Sequence, residues 1–390
     1  MGIKFAKDTL LAALKTAAAF AGKFMVEKEG LPLEQMTLMR LMFNGASLII
    51  EATNLEMGIH MEIPAPGSSE TRSYQLPAKT LLDAVSASGA EIELVHEKAG
   101  LGVKTQTGKS TIKNVAGDLI PLIDCGAAAT TTTHFTCAEM AKAINMVALA
   151  AAKEDEARPY LCGVRVMPEH DGSVTFVAAD GVRMAVYTTR TTTPEAFATP
   201  FTLPIASVPA ITNCLAIQHG NVALTVISNQ AIFHWNWRDE NENNFNGYVF
   251  ALRQADNFPD WHALVPRTCK TKLTFDGALA AALKTARVIA RESDELPKVT
   301  LKINDLKAVV EAEVAEVGAT STEVTPISVE GMNGVEVSFN VNLVPLAQIG
   351  ASGTVIVGLN PPQEGAPGPT IWKLPSVEGW QYLLMPLCSF

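Results

Sequence analysis

One short stretch sets a charged side chain among apolar ones. In AADGVRMAVY, residues 178–187, Arg183 follows the turn signal Asp180-Gly181. Such an arginine is either a surface side chain on a plain hairpin or a cation at the rim of an apolar pocket, where it would anchor a peptide. The residues alone leave both interpretations open.

Patterns typical of catalysis or metal binding do not occur. The sequence contains no P-loop, GxGxxG, GxSxG or HExxH motif. Its seven histidines are well separated, and its six cysteines form no CxxC pair, which argues against a zinc site and a disulfide framework. Lone histidines such as His134 and His234 are typical of packed or surface positions. We read the acidic stretch KEDEAR, residues 153–158, as a solvated helix end without a converging basic partner. We therefore predict no cofactor and no metal, and an enzyme built from scattered Asp and His residues is the least favoured hypothesis.

Cations recur on segments with helical periodicity. Two interpretations fit them: ordinary helix-surface side chains, or a set of helices that face a polyanion. The residues concerned are Lys15, Lys79, Lys142, Lys284, Arg287 and Arg291.

Composition limits the class of protein. The 390 residues are 48% hydrophobic and 18% charged, with a formal net charge of −10, which argues against coating nucleic acid by bulk attraction. The longest apolar run is far shorter than the roughly 20 residues that cross a bilayer. The stretch LLAALKTAAAFAGKF has the spacing of an amphipathic helix and not of a signal peptide. We predict a cytoplasmic protein with no membrane partner.

The chain repeats a two-part pattern three times, at intervals of about 130 residues. The first part pairs a short strand with a helix and begins the segments IKFAKDTLLAALK, THFTCAEMAKAIN and TKLTFDGALAAALK. Thr136 with Glu139, and Asp276, mark helix starts. The second part, a strand end entering another helix, recurs in YQLPAKTLLDAVSAS, FTLPIASVPAITNCL and VSFNVNLVPLAQIGA.

Alternating apolar and polar residues between these helices predict antiparallel hairpins, so the fold class is α+β. We predict three similar domains, at residues 1–128, 129–265 and 266–390. Two long inserts, residues 238–257 and 360–379, read as surface loops or hairpin tips whose role the sequence leaves open. YLLMPLCSF, residues 382–390, predicts a last strand that also lines a binding surface, with residues 388–390 of unknown role.

Seven motifs in order resemble the bacterial replicative sliding clamp, the beta subunit of DNA polymerase III. They are TNLEMGI, LPAKTLLD, RPYLCGV, ADGVRMAV, NFPDW with LVP, SFNVNLV and YLLMPL. The resemblance spans essentially the whole chain. It implies a DNA-clamp fold of three similar domains, each with two helices on antiparallel sheets, closed into a six-domain ring by a head-to-tail homodimer.

The resemblance also implies a function. A clamp has no enzymatic activity; it encircles duplex DNA without sequence preference and tethers the replicative polymerase and the clamp loader through short linear motifs. The six helix cations would then face the DNA. The strand around Ile112 would meet Val288 and Ile289 of another copy. The peptide-binding pocket would be lined by Leu161, Ala179, Gly181, Arg183, Met184, Pro259, Leu264, Leu383, Leu384, Met385, Pro386 and Leu387.

Departures from the family bear on the partner motif. Val182 stands where family members often carry His, and Ala263 replaces a common basic residue. The alternative hypothesis is a clamp-like scaffold that binds peptides but does not encircle DNA.

Overall fold

The computed structural model describes most of the chain. The described residues are 2–22, 37–66, 71–106, 108–116, 132–190, 199–227, 229–240, 242–254, 258–304, 307–331, 334–360 and 368–387.

Six helices lie in the described residues, and each predicted helix is confirmed. They are α1 (Lys7–Ala18), α2 (Ala78–Ser86), α3 (Cys137–Ala148), α4 (Val208–Ala216), α5 (Gly277–Ala290) and α6 (Leu346–Ser352).

The strands follow the predicted hairpin pattern. They are β1 (Ile3–Ala6), β2 (Leu38–Asn44), β3 (Ser47–Thr53), β4 (Met57–Pro64), β5 (Arg72–Pro77), β6 (Glu91–His96), β7 (Gly100–Lys104), β8 (Lys109–Lys113), β9 (Thr132–Thr136), β10 (Gly163–Pro168), β11 (Ser173–Ala179), β12 (Arg183–Arg190), β13 (Phe201–Pro204), β14 (Asn221–Ile227), β15 (Gln230–Arg238), β16 (Asn244–Leu252), β17 (Thr271–Asp276), β18 (Lys298–Asn304), β19 (Lys307–Val314), β20 (Gly318–Val324), β21 (Ser328–Gly331), β22 (Val335–Asn340), β23 (Thr354–Leu359), β24 (Thr370–Lys373) and β25 (Trp380–Leu384).

Two helix starts have the caps that the sequence predicts. The backbone N–H of Glu139 donates to Thr136 Oγ1 at 3.1 Å, and that of Ala278 donates to Asp276 Oδ1 at 2.8 Å. Each bond satisfies one of the free N–H groups of a first helical turn. These caps fix where α3 and α5 begin.

The residues form two compact units. The first comprises Met1–Lys142, Pro168–Ser173 and Arg190–Ala255. It contains an antiparallel four-stranded sheet in the order β1-β6-β7-β8 and an antiparallel eight-stranded sheet in the order β5-β2-β3-β4-β16-β15-β14-β9. Helices α1 and α2 pack on each other, and α1 covers β3 and β4. Its core includes the fully buried Phe43, Phe233 and Trp235.

The second unit comprises Ala143–Met167, Val174–Thr189 and Asp256–Phe390. Eight of its strands are neighbours in the order β10-β11-β12-β25-β24-β23-β17-β21, and a further antiparallel sheet has the order β20-β19-β18-β22. Helix α5 packs on β18, β19 and β20 and also contacts α6. Its core includes the fully buried Trp372, Tyr382 and Phe275.

The units do not coincide with the predicted repeats, because two ladders join strands of different repeats. Strand β4 pairs with β16, and β12 pairs with β25, both antiparallel. A sheet that continues from one repeat to the next groups residues by hydrogen bonding and not by sequence period. The division into three domains at 1–128, 129–265 and 266–390 remains a prediction.

The prediction that residues 238–257 form a surface loop or hairpin tip is largely wrong. Among the described residues of this range, Asn244–Leu252 is a nine-residue strand in the interior of the first unit's large sheet, while residues 241 and 255–257 lie outside the described part. Val249, Phe250 and Ala251 are buried there. In residues 360–379, the described part includes β24, whose Trp372 is fully buried.

Candidate functional site

The pairing of β12 with β25 brings two distant motifs of the second unit side by side. Arg183 lies opposite Leu384 and Met184 opposite Leu383 in this antiparallel ladder. The hydrogen bonding continues past the last paired residues of the ladder, where Met385 N–H donates to the carbonyl of Val182 at 2.9 Å. ADGVRMAV and YLLMPL, about 200 residues apart, therefore form one surface, as the pocket prediction requires.

Alternation along the strands divides the predicted pocket residues between the two faces of the sheet. On one face, Met184 and Leu383 join a buried group that we call the apolar cluster. The cluster consists of Ala152, Leu161, Val177, Ala179, Met184, Val186, Trp261, Ile371 and Leu383. Four of the twelve predicted pocket residues, Leu161, Ala179, Met184 and Leu383, are thus in contact within one group.

Apolar side chains beside this cluster are exposed. Leu264 is 55% exposed, Val182 44% and Met385 39%, and Pro259 and Gly181 are also exposed. Large apolar side chains of a soluble protein are rarely exposed in groups without a ligand or partner to cover them. They form an apolar rim next to a buried apolar floor.

Leu384, Pro386 and Leu387 do not belong to the apolar cluster. Leu384 is fully buried and shares the Arg183 side of the ladder, opposite to Leu383. Pro386 is buried, and Leu387 is half-buried with its N–H bonded to the carbonyl of Ser338 at 2.8 Å. These three residues support the surface from behind or at its edge, and Leu383 and Met385 supply its apolar contacts.

Arg183 is held in one position by its neighbours. Its Nε donates to Asp180 Oδ2 at 2.8 Å, while Asp180 Oδ1 accepts the N–H groups of Val182 and Arg183, both at 3.0 Å. The Tyr382 hydroxyl lies against the guanidinium and donates to the carbonyl of Leu343 at 2.5 Å. Burial raises the pKa of Tyr382 above its ordinary value, against the opposing effect of Arg183. The hairpin arginine is therefore half-buried and oriented, but it shares the face of Leu384, opposite to Met184 and Leu383. Its role as a cation at the rim of the pocket stays a prediction.

KEDEAR contributes a second arginine, and our reading of it as a helix end without a basic partner is wrong. Helix α3 ends at Ala148, so these residues form a loop. Asp155 accepts hydrogen bonds from Arg158 N at 2.8 Å and Arg158 Nε at 3.0 Å. Burial acts to raise the pKa of Asp155, but the bonds from Arg158 outweigh it and lower the pKa. The spacing of three residues between Asp155 and Arg158 was the feature of the sequence that could have predicted this pair.

Trp261 is the largest of the five cluster residues that the pocket prediction omitted; the others are Ala152, Val177, Val186 and Ile371. Trp261 is 8% exposed, belongs to the apolar cluster and stacks on His262 with ring centroids 3.8 Å apart. Its signal in the sequence was an aromatic residue between prolines in NFPDWHALVP.

The helix cations point away from the packed faces of their helices. Lys15, Lys79, Lys142, Lys284 and Arg291 are exposed, although Lys142 Nζ lies 3.8 Å from Glu139 Oε2. Arg287 is half-buried, and its Nε donates to Asn342 Oδ1 at 3.1 Å. Five of the six side chains are thus exposed, with Lys142 near Glu139, and Arg287 is partly engaged within its own unit.

The predicted interface residues differ in accessibility. Val288 on α5 is 66% exposed and Ile289 is half-buried. Ile112 is 5% exposed and points into its own unit, while β8, which carries it, is an edge strand. The backbone edge of β8, and not the Ile112 side chain, is what another chain could contact.

The described part of the chain contains neither a metal-binding cluster nor a membrane-spanning helix. In the part of the chain that the structure describes, no three His, Cys, Asp or Glu side chains are grouped so that they could hold a metal ion. Among the helices in that part, none has both the length and the apolar character needed to span a bilayer.

Comparison with known proteins matches this architecture over the full chain. The DNA polymerase III beta subunit of Thermotoga maritima superposes with a TM-score of 0.81 at 20% identity, covering 100% of both chains. The beta subunit from the DNA polymerase of Streptococcus pyogenes gives 0.84 at 17% identity, again covering 100% of both. The chain has the fold of the bacterial sliding clamps.

Three further comparisons bear on this clamp fold. The Pseudomonas aeruginosa DnaN sliding clamp, crystallised bound to griselimycin, superposes with a TM-score of 0.81 at 19% identity and covers 99% of this chain. Residues 135–242 match the family model for the central domain of the DNA polymerase III beta subunit. No curated protein sequence matches the chain. The fold predicted from the seven motifs is confirmed, and the sequence match lies in the middle of the clamp fold.

Proposed function

We propose that this protein is a DNA sliding clamp, a non-catalytic processivity factor that encircles duplex DNA and tethers a replicative polymerase and other factors to it. The observation that carries the proposal is the clamp fold over the full chain, combined with exposed cations on helices of an otherwise acidic protein. We expect two copies to close the ring, using the β8 edge and the exposed Val288 of α5, and we expect the protein to act in the cytoplasm.

The charge distribution suits such a ring. A protein held on DNA by topology does not need many phosphate contacts, and every neutralised phosphate would add salt-sensitive affinity that slows sliding. A few exposed cations, Lys15, Lys79, Lys142, Lys284 and Arg291, are enough to keep the duplex centred, while the net charge of −10 disfavours binding elsewhere.

The apolar cluster and its exposed rim are the proposed site for partner motifs. Griselimycin, with which the P. aeruginosa clamp was crystallised, is the probe that we propose for this site. Covering roughly 400 Å² of apolar surface would contribute about 10 kcal/mol. Association costs of roughly 4–15 kcal/mol offset most of this, which leaves a weak contact that partners can exchange. Met184 and Met385 have the flexible side chains that accept varied apolar ligands.

The decisive test of encirclement compares two DNA topologies. We load the protein on a nicked circular duplex with a clamp loader and ATP, then cut half of the sample with a restriction enzyme. We expect the protein to stay on the circle and to be lost rapidly from the cut DNA. Gel filtration measures both outcomes, because protein bound to DNA elutes ahead of free protein. Equal loss from both topologies would reject the clamp in favour of the peptide-binding scaffold.

Charge variants separate the same two hypotheses. Lys15→Glu with Lys284→Glu places negative charge on two helices and is expected to reduce loading and processive synthesis roughly tenfold. Lys98→Glu with Lys298→Glu makes the same change of charge at a turn and a strand and serves as the control. Both variants should bind griselimycin like the parent, and a scaffold that never encircles DNA would show no difference between them.

A further inference from the structure

A groove lined by cations continues along the same sheet face as the proposed peptide site. It has a volume of about 460 Å³ and lies entirely within the second unit. We call it the basic groove. Its lining residues are Pro266, Arg267, Thr268, Cys269, Lys272, Ile356, Gly358, Ile371 and Lys373.

The register of the strands connects the groove to the apolar cluster. Leu383 lies opposite Ile371, Ile371 opposite Gly358, and Gly358 opposite Lys272. Residues paired in this way share a face of the sheet. Ile371 belongs both to the apolar cluster and to the groove wall, so one continuous surface runs from the pocket to Lys272.

Three cations and no carboxylate line the groove. Arg267, Lys272 and Lys373 are exposed, and within the described residues none of them forms an ion pair. Glu330 is the strand partner of Lys272 on β21, but among the described residues their side chains form no ion pair. In a chain with a net charge of −10, such a group of unneutralised cations attracts a negatively charged ligand.

The Cys269 thiol lines the same groove as these cations. Burial raises its pKa, while the charges of Lys373 and Lys272 act in the opposite direction. Gly358 leaves the room for that side chain, because a Cβ at position 358 would lie 2.4 Å from Cys269 Sγ. The cysteine is half-buried at the groove wall and is free.

We propose that the basic groove binds acidic residues that flank the apolar motif of a partner protein. This inference deepens the proposed function and rests on the peptide site. From Leu383 to Lys272 there are three strand spacings, or roughly 14 Å, which an extended peptide crosses in about four residues. The apolar floor of Ile356 and Ile371 suits the stems of peptide side chains better than the backbone of a nucleic acid.

The test uses four fluorescein-labelled peptides and the full-length protein. All four peptides carry the same anchors, two leucines and a phenylalanine. They differ in the composition of the flanking residues, Glu-rich or Gln-rich, and in the side of the anchors, N-terminal or C-terminal, on which the flank lies. Binding is measured by fluorescence anisotropy at about 50 mM and about 300 mM NaCl. When the flank is on the side of the anchors that reaches the groove, the Glu-flanked peptide should bind roughly three- to tenfold tighter than the Gln-flanked one. The higher salt concentration should abolish this advantage.

Matched variants assign that advantage to the groove. Lys272→Gln with Lys373→Gln should remove it and leave the affinity for the Gln-flanked peptides unchanged. Lys298→Gln with Lys307→Gln, which removes the same charge from other strands of the second unit, should preserve it. Glu330→Gln should increase it. Equal affinities for Glu and Gln flanks, or an advantage that persists in the Lys272/Lys373 variant, would overturn the proposal.

A footprint of Cys269 separates failure of the groove from failure of the pocket. A Glu-rich peptide without apolar anchors should slow the reaction of Cys269 with iodoacetamide, as read by mass spectrometry, in the parent but not in the Lys272/Lys373 variant. If anchored peptides do not bind but this protection occurs, the pocket is wrong and the groove stands. An absence of protection overturns the groove, as does protection by a DNA oligonucleotide alone, which would make the ligand a nucleic acid.

Discussion

Gly181 lies directly against the guanidinium of Arg158. A Cβ added at position 181 would lie 2.7 Å from Arg158 Nη1, and the backbone there has φ +93°, which favours glycine. The turn that presents Arg183 and Met184 therefore depends on the absence of a side chain at its second residue and on an arginine from the loop after α3.

Gly181→Ala tests this relationship. It should destabilise the protein by about 1–3 kcal/mol and weaken griselimycin binding, because it combines backbone strain with displacement of Arg158. The control is Gly353→Ala, where φ is +73° and nothing lies within 4 Å of the new Cβ. Thermal unfolding and calorimetric titration measure both. If the two variants lose equal stability and neither loses affinity, the Arg158 contact has no role at the site.

Leu264→Ala tests the apolar rim without touching the core. The side chain is 55% exposed, so its truncation should leave stability nearly unchanged and reduce affinity for griselimycin or an apolar peptide by about 1–2 kcal/mol, or roughly five- to thirtyfold. Leu296→Ala removes a leucine that is 54% exposed in the same unit and should not affect binding. Similar affinities for both variants would place the ligand elsewhere.

Val288→Asp tests the proposed dimer. A charge at this 66% exposed position of α5 should convert a dimer to monomers, because burying an unpaired carboxylate in an interface is costly. Analytical ultracentrifugation gives the mass directly. Val317→Asp, at a 49% exposed turn position, should leave the dimer intact. A monomeric parent at all concentrations would contradict the ring.

The buried thiol of Cys137 should make stability depend on pH in the alkaline range. Burial raises its pKa to about 11 from an ordinary value of 9.0. The thiol thus ionises more readily in the unfolded chain, so its contribution to stability is full below pH 9 and is lost as the pH rises through about 11. Denaturant unfolding at several pH values should show this loss in the parent.

Cys137→Ala isolates the effect of that thiol from other alkaline titrations. Between about pH 9 and about pH 11, the free energy of unfolding should fall more for the parent than for the variant, because only the parent has the thiol. A constant difference across this range would show that the thiol does not titrate differently in the folded and unfolded states. Cys269→Ala, at a half-buried position, is expected to change less.

Local structure could be predicted directly from the order of the residues. Helix periodicity, the caps at Thr136 and Asp276, the Asp180-Gly181 turn and the alternation of the strands all depend on neighbours within a few residues, so they could be read along the chain. The threefold recurrence of the pattern and the seven motifs then indicated the clamp fold.

The contacts between residues far apart in the chain could not be predicted in this way and became visible with the fold. The register of β12 with β25, the position of Trp261 over the sheet and the contact of Arg158 with Gly181 join segments whose spacing along the chain has no periodicity. The basic groove has the same origin, because Arg267 and Lys272 meet Lys373 from a segment about 100 residues further along the chain. Long-range register is set by which faces become buried together, and a shift of one residue would move Met184 and Leu383 to the opposite face.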